Sequence, residues 1–281
     1  MIEPKLILKI TILLLPLFLN SGNRYGINNY NFDKPRQIFL PSGLNEISGI
    51  TKSADNKIFA INDEEGIVFK VDPYGGKILK KFYIGSWKIK DDFEGLAKAG
   101  KSIFAVSSSG KLYRFQEGGE DKAVEYKARQ LPFSSNFEIE GLCYDKELNG
   151  LLIAVKDYSG KHFKEHRAIY LFSLNTYSVE KKPVIIISLK ELKKSGIKDF
   201  FPSGIARHPA SGNYFIVSAK GDNALVEIDR KGEILGTYKL DEKLHLQPEG
   251  ITFLDDMTLI ISDEAAGKKP ALTAYSLNAN K

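Results

Sequence analysis

Three glutamates, Glu94, Glu140 and Glu249, stand immediately before a glycine in peptides of the same form: FEGL, IEGL and PEGI. Two further peptides, ISGI and PSGI, carry Ser48 and Ser203 at the same place. A second acidic series follows three of these five peptides at a distance, with Asp63, Asp157 and Asp263 closing the runs AIND, AVKD and IISD, and Glu64 and Glu264 just beyond two of them. Carboxylates brought together in a partly desolvated mouth repel one another, so they need raised pKa values, hydrogen-bond donors or a bound cation. An oxygen-only donor set without clustered histidines suits a hard ion such as Ca²⁺ or Mg²⁺. Interblade latching is the competing use, with each glutamate accepting backbone N–H groups from a neighbouring unit.

The glycines set the frame that would gather these groups. Gly49, Gly95, Gly141, Gly204 and Gly250 stand 46, 46, 63 and 46 residues apart, one register with a single 17-residue insertion. A period in the forties marks an array of like units. After each glycine comes a turn and an apolar strand (KIFAIND, SIFAVSS, LLIAVKD, YFIVSAK, LIISDE), then an alternating strand (IVFKVD, KLYRFQ, AIYLFSL, ALVEIDR, ALTAYSL). A last, outer strand follows in four units: ILKKFYIG, AVEYKARQLP, KPVIIISL and EILGTYKL. Four short antiparallel strands per unit make a β-propeller blade. The fifth unit ends with its third strand, and RQIFLP (36–41) precedes the first glycine without a unit of its own. Pairing those two removes both open edges. The expected fold is therefore all-β: a five-bladed β-propeller of four-stranded blades, its ring closed by an N-terminal strand pairing with the last blade. The insertion holds SLKELKKSG, a capping-box helix from Ser188 through Glu191 to a stop at Gly196. The expected propeller is a single domain over 31–281, with its repeats running from about Asn31 to Leu277.

Residues 1–24 read as a signal peptide or N-terminal membrane tether, with Lys5 and Lys9 ahead of an apolar run from Ile10 to Leu19. Export to the periplasm or cell surface is the expectation, with membrane contact only through that segment. The net charge of +5 comes from dispersed pairs such as Lys80–Lys81 and Lys268–Lys269, which read as a soluble surface and not as a nucleic-acid footprint. Cys143 is the only cysteine, which excludes an internal disulfide, and it reads as a buried strand residue. His162, Glu165 and His166 spell H-x-x-E-H, but in a short loop between strands the pattern lacks the helix that zinc chemistry needs. His208 and His245 read as isolated surface histidines.

The succession ISGIT, FAINDE, DFEGLA, FEIEGLCYD, IAVKD, FPSGIARHP, QPEGITF and ISDEA resembles the SdiA-regulated (YjiK-like) family of exported bacterial propellers over about Leu40 to Leu277. It is more distantly similar to the esterase-like phytase and gluconolactonase-like propellers, in which channel-mouth carboxylates hold a divalent metal. That likeness implies a metal at Glu94, Glu140, Glu249 and Asp263. Ser48, Ser203 and Lys156 depart from an all-acid ring and, with Asp63, Asp157 and Lys220, form the expected ligand-binding set. The leading expectation is an exported, monomeric propeller binding a small polar molecule or an exported protein at its channel mouth, with Ca²⁺ or Mg²⁺ and no organic cofactor. The alternatives are a metal-dependent hydrolase of an ester, lactone or phosphoester, with one of the three glutamates as base, and a scaffold that uses the helix-bearing rim.

Overall fold

The computed structural model describes residues 25–86 and 89–278. Residues 1–24, expected to be a signal peptide or tether, lie outside them, and no described helix is long and apolar enough to cross a membrane. Five antiparallel sheets follow one another around an axis, as the glycine register predicts. Their inner strands are Ile47–Lys52, Phe93–Ala99, Ile139–Asp145, Phe200–Arg207 and Pro248–Phe253. Two of the second strands, Gly150–Val155 and Leu259–Asp263, are buried at every position. Each is covered on both faces by neighbouring blades, which is why these runs are continuously apolar and do not alternate.

The fifth blade is built from both ends of the fold. Arg36–Phe39 pairs antiparallel with Ala271–Tyr275, setting Arg36 opposite Ala274 and Phe39 opposite Ala271. The core is divided among the blade junctions. One cluster joins Phe59, Phe82 and Ile84 of the first blade to Phe93, Ile103 and Tyr113 of the second. The other four clusters fill the remaining junctions, including the one across the closure, where Ile50 and Ala60 meet Ile260 and Leu272. Each such large side chain contributes about 1.5–3 kcal/mol on burial.

The glycines act at these same junctions. A Cβ on Gly49 would lie 2.6 Å from the Leu96 nitrogen, and one on Gly95 would lie 2.7 Å from Leu142 Cβ. The series continues from Gly141 to Ile205, from Gly204 to the Glu249 carbonyl, and from Gly250 back to the Ser48 carbonyl. Each glycine is thus a groove for the aliphatic residue after the next glycine, and the five contacts form a closed cycle. Ile50, Leu96, Leu142, Ile205 and Ile251, all buried, make an apolar ring across the axis.

Three details were not foreseen. The segment written AVEYKARQLP is divided: Ala123–Val124 pairs in parallel with Ile78–Ile84 of the first blade, and only Tyr126–Gln130 completes the second. In the third blade Ser178–Val179 and Ile185–Ser188 share one partner strand, His166–Ser173. An arm from Tyr25 docks across the fourth and fifth blades, where the Ile27 N–H donates to Glu227 at 2.7 Å and Tyr30 bridges to Leu277. The helix spans Leu189–Lys194, with the Ser188 hydroxyl accepting from the Glu191 N–H at 3.3 Å.

Candidate functional site

Every inner strand breaks register just before its glycine, between Ile47 and Ile50, Phe93 and Gly95, Ile139 and Gly141, Pro202 and Gly204, and Pro248 and Gly250. Ser48, Glu94, Glu140, Ser203 and Glu249 are the residues in these bulges. A bulge re-aims a side chain out of the pleat. The two serines use this freedom to reach the next blade: Ser48 Oγ donates to the Glu94 carbonyl at 3.1 Å, and Ser203 Oγ to the Pro248 carbonyl at 2.5 Å. The serines thus latch two of the blade junctions.

The three glutamates take side-chain partners. Ser48 Oγ also donates to Glu94 Oε2 at 3.1 Å and Lys156 Nζ donates to Glu140 Oε1 at 2.7 Å, while the Gln247 side chain favours the ionised form of Glu249. Burial is the largest influence on each carboxyl. It pushes Glu94 up to about 10, helped by the fields of Glu140, Glu249 and Asp92. Glu140 rises to about 7, since Lys156 opposes the burial. Glu249 is driven well above the usual carboxylate range by burial and by Glu140. Burial alone would depress the Lys156 ammonium, but Glu140 and Glu138 outweigh it and hold the proton on. Three carboxyl groups thus share a desolvated mouth with one ammonium, and the mouth favours a proton, a cation or a donor-rich ligand.

Beside them at the rim, between the first and fifth blades, one oxygen each from Glu46, Asp63 and Glu264 lie within 4.8 Å of one another. Two ligands on opposite sides of a calcium ion, each about 2.4 Å from it, are separated by about that distance. Burial, with Glu46 next, raises Asp63 to about 6, and burial with Glu46 and Asp63 raises Glu264 to about 7. Asp63 Oδ1 is buried with no hydrogen-bond partner among the described residues. The donor chemistry and this orphaned oxygen fit a hard divalent cation.

The four residues expected to hold a metal do not assemble as one set. Asp263, 2% exposed, turns away to His245 Nδ1 at 2.8 Å, and His245 Nε2 lies 2.6 Å from the Tyr275 hydroxyl. His245 and His208 are both fully buried, which corrects their reading as surface residues. His208 Nδ1 accepts two N–H groups of its own turn, from Ala210 and Ser211, and Nε2 meets the Tyr30 hydroxyl at 3.0 Å. Burial and then Arg207 depress its pKa to about 4.

Among the described residues, Asp157 and Lys220 of the expected ligand set form no hydrogen bond or ion pair with the glutamates. Asp157 is largely exposed and pairs with Arg167 at 3.2 Å, and Lys220 lies over the Phe201 ring. Cys143 is buried in its strand, its thiol pushed up to about 12 by burial. The H-x-x-E-H peptide forms turns leading into the strand His166–Ser173.

Glu46, Asp92 and Glu138 were missed. They share one register position, two residues before Ser48, Glu94 and Glu140, and Gln247 is their equivalent in the fifth blade. A polar residue there in four of five repeats was the available signal.

Residues 182–281 match the family model described as SdiA-regulated, in accord with the resemblance read from the peptides. No curated protein matches the chain by sequence. Among solved structures, a luciferin-regenerating enzyme superposes with TM-score 0.56 at 11% identity, covering 86% of this chain and 95% of that one. The glutaminyl cyclase of Myxococcus xanthus gives 0.55 at 13%, covering 88% and 96%. A PQQ-bound aldose sugar dehydrogenase from Streptomyces coelicolor gives 0.52 at 14%, covering 86% and 99%. At these identities the likeness is one of fold.

Proposed function

Proceeding from a propeller whose residues 182–281 match the SdiA-regulated family, we propose that the protein is an exported binding propeller. In this reading its acidic mouth takes a small polar ligand together with a divalent cation. The observation that carries the reading is the Glu46, Asp63 and Glu264 set, three carboxylate oxygens within one ion's reach beside three desolvated glutamates. Ca²⁺ fits better than Mg²⁺, because the set offers carboxylates from two blades without a rigid octahedral cage. The bound ion would offset the repulsion at the rim. Glu94, Glu140 and Glu249 would then accept hydrogen bonds from ammonium, hydroxyl or amide groups of the ligand, with Lys156 receiving any anionic substituent.

Calorimetric titration of chelator-treated protein with Ca²⁺ and with Mg²⁺ tests the ion. Saturable binding, weakened at least tenfold in Asp63→Asn and in Glu264→Gln, is expected. Unchanged affinity in both variants would reject the site.

A metal-dependent hydrolase is the second reading, favoured by one observation: the Glu140 carboxyl sits at about 7, where a general base works best. Turnover of a lactone or phosphoester panel, abolished in a folded Glu140→Gln variant, would select it over simple binding. Under the binding reading the panel is left intact by both proteins.

A further inference from the structure

The inner strands run from the acidic mouth through the aliphatic ring to a second opening. Around that opening lies a cavity of about 380 Å³, within the range of small-molecule sites. Its floor is the ring formed by Ile50, Leu96, Leu142, Ile205 and Ile251, and Phe253 and Met257 add to its wall. The ring residues are buried, and none of the three mouth glutamates lines this cavity.

The charge at this end has the opposite sign. Lys52, Lys98, Lys146 and Arg207 line the cavity, with Asp255 as its one lining carboxylate. Asp255 is committed to Lys52 at 2.5 Å, and Arg207 is committed to Asp145 and Glu147 outside the lining. That leaves two ammonium groups on adjacent blades. Lys98 spends one donor on the Gly100 carbonyl at 2.6 Å and keeps others, since an ammonium has three. Lys146 is exposed and forms no ion pair among the described residues.

An apolar floor under two uncompensated cations selects a ligand with both characters. We propose that this lower cavity binds a small amphipathic carboxylate, its hydrocarbon body on the aliphatic ring and its anionic head between Lys98 and Lys146. The hydrocarbon supplies most of the affinity through burial, and the head fixes orientation and excludes neutral analogues. The site is independent of the acidic mouth and of any metal bound there.

Anilinonaphthalene sulfonate, an anion that fluoresces in apolar surroundings, serves as the reporter. Decanoate below its micellar concentration should displace it, with decanol and acetate each at least tenfold weaker. The Lys98→Glu/Lys146→Glu double variant changes only partly or fully exposed positions and should fold normally. It should lose at least tenfold in decanoate affinity and keep its affinity for decanol. Equal competition by decanoate and decanol, or an unaltered double variant, would overturn the assignment. Loss of decanoate binding in Glu264→Gln would place the ligand at the upper mouth and overturn it equally.

Discussion

Ser203 Oγ donates to the carbonyl oxygen of Pro248 at 2.5 Å, joining the fourth blade to the fifth one residue before Glu249. The serine is buried, so its removal leaves the carbonyl without that donor. Ser203→Ala should cost about 1–3 kcal/mol. Urea unfolding measures this directly, and a variant as stable as the parent would show that the hydroxyl does not join the blades.

The acidic mouth predicts an unusual dependence on pH. Carboxyl groups whose folded pKa is raised stabilise the native state fully below their unfolded values, near pH 4. They lose that contribution as pH rises through the folded values. The relevant values are about 6 for Asp63, about 7 for Glu140 and Glu264, and about 10 for Glu94. Chelator-treated protein should therefore melt at a lower temperature at pH 8 than at pH 5. Added Ca²⁺ should raise the melting temperature more at pH 8. Glu264→Gln should flatten the profile, and a profile rising from pH 5 to 8 would contradict the clustering.

The glycine cycle makes a sharp steric prediction. A Cβ at Gly95 would stand 2.7 Å from Leu142 Cβ and 2.8 Å from the Leu142 nitrogen, and the backbone atom has little room to move. Gly95→Ala should destabilise by about 1–3 kcal/mol or more. Gly43→Ala meets only a Phe69 ring carbon at 3.9 Å and should be near neutral. Similar melting temperatures for the two variants would remove the steric account of the repeat.

His245 holds a buried chain between Asp263 and Tyr275. Replacing it by phenylalanine keeps an aromatic ring but leaves the Asp263 carboxyl buried without its donor. Leaving a buried hydrogen-bonding group without its partner costs about 1–3 kcal/mol. Adding Asp263→Leu should recover part of the loss, because the stranded group is then removed as well. A double variant no more stable than His245→Phe would show that the cost comes from packing alone.

The blade count and the closure were legible because they depend on spacing and on one unpaired segment at each end of the array. The convergence of Glu94, Glu140 and Glu249 was legible for the same reason. The two histidines were not, because a turn residue can be drawn inward by the backbone groups it satisfies, as His208 is by Ala210 and Ser211. Asp263 was misplaced for a related reason. It pairs with Pro248 in the ladder while its side chain meets a histidine in the loop leading to that strand. The transfer of Ala123–Val124 to the first blade also left no local trace, since a two-residue parallel pairing depends on which neighbour lies within reach.

Closing the ring through Arg36–Phe39 has a consequence for how the molecule is made. That strand leaves the ribosome early, yet its partner Ala271–Tyr275 emerges only after four blades have been synthesised. Until then the nascent chain carries a waiting edge with exposed backbone donors and acceptors, and the fifth blade has no template. The final annealing step joins residues nearly a whole chain length apart, so assembly should be slow and sensitive to loss of either end.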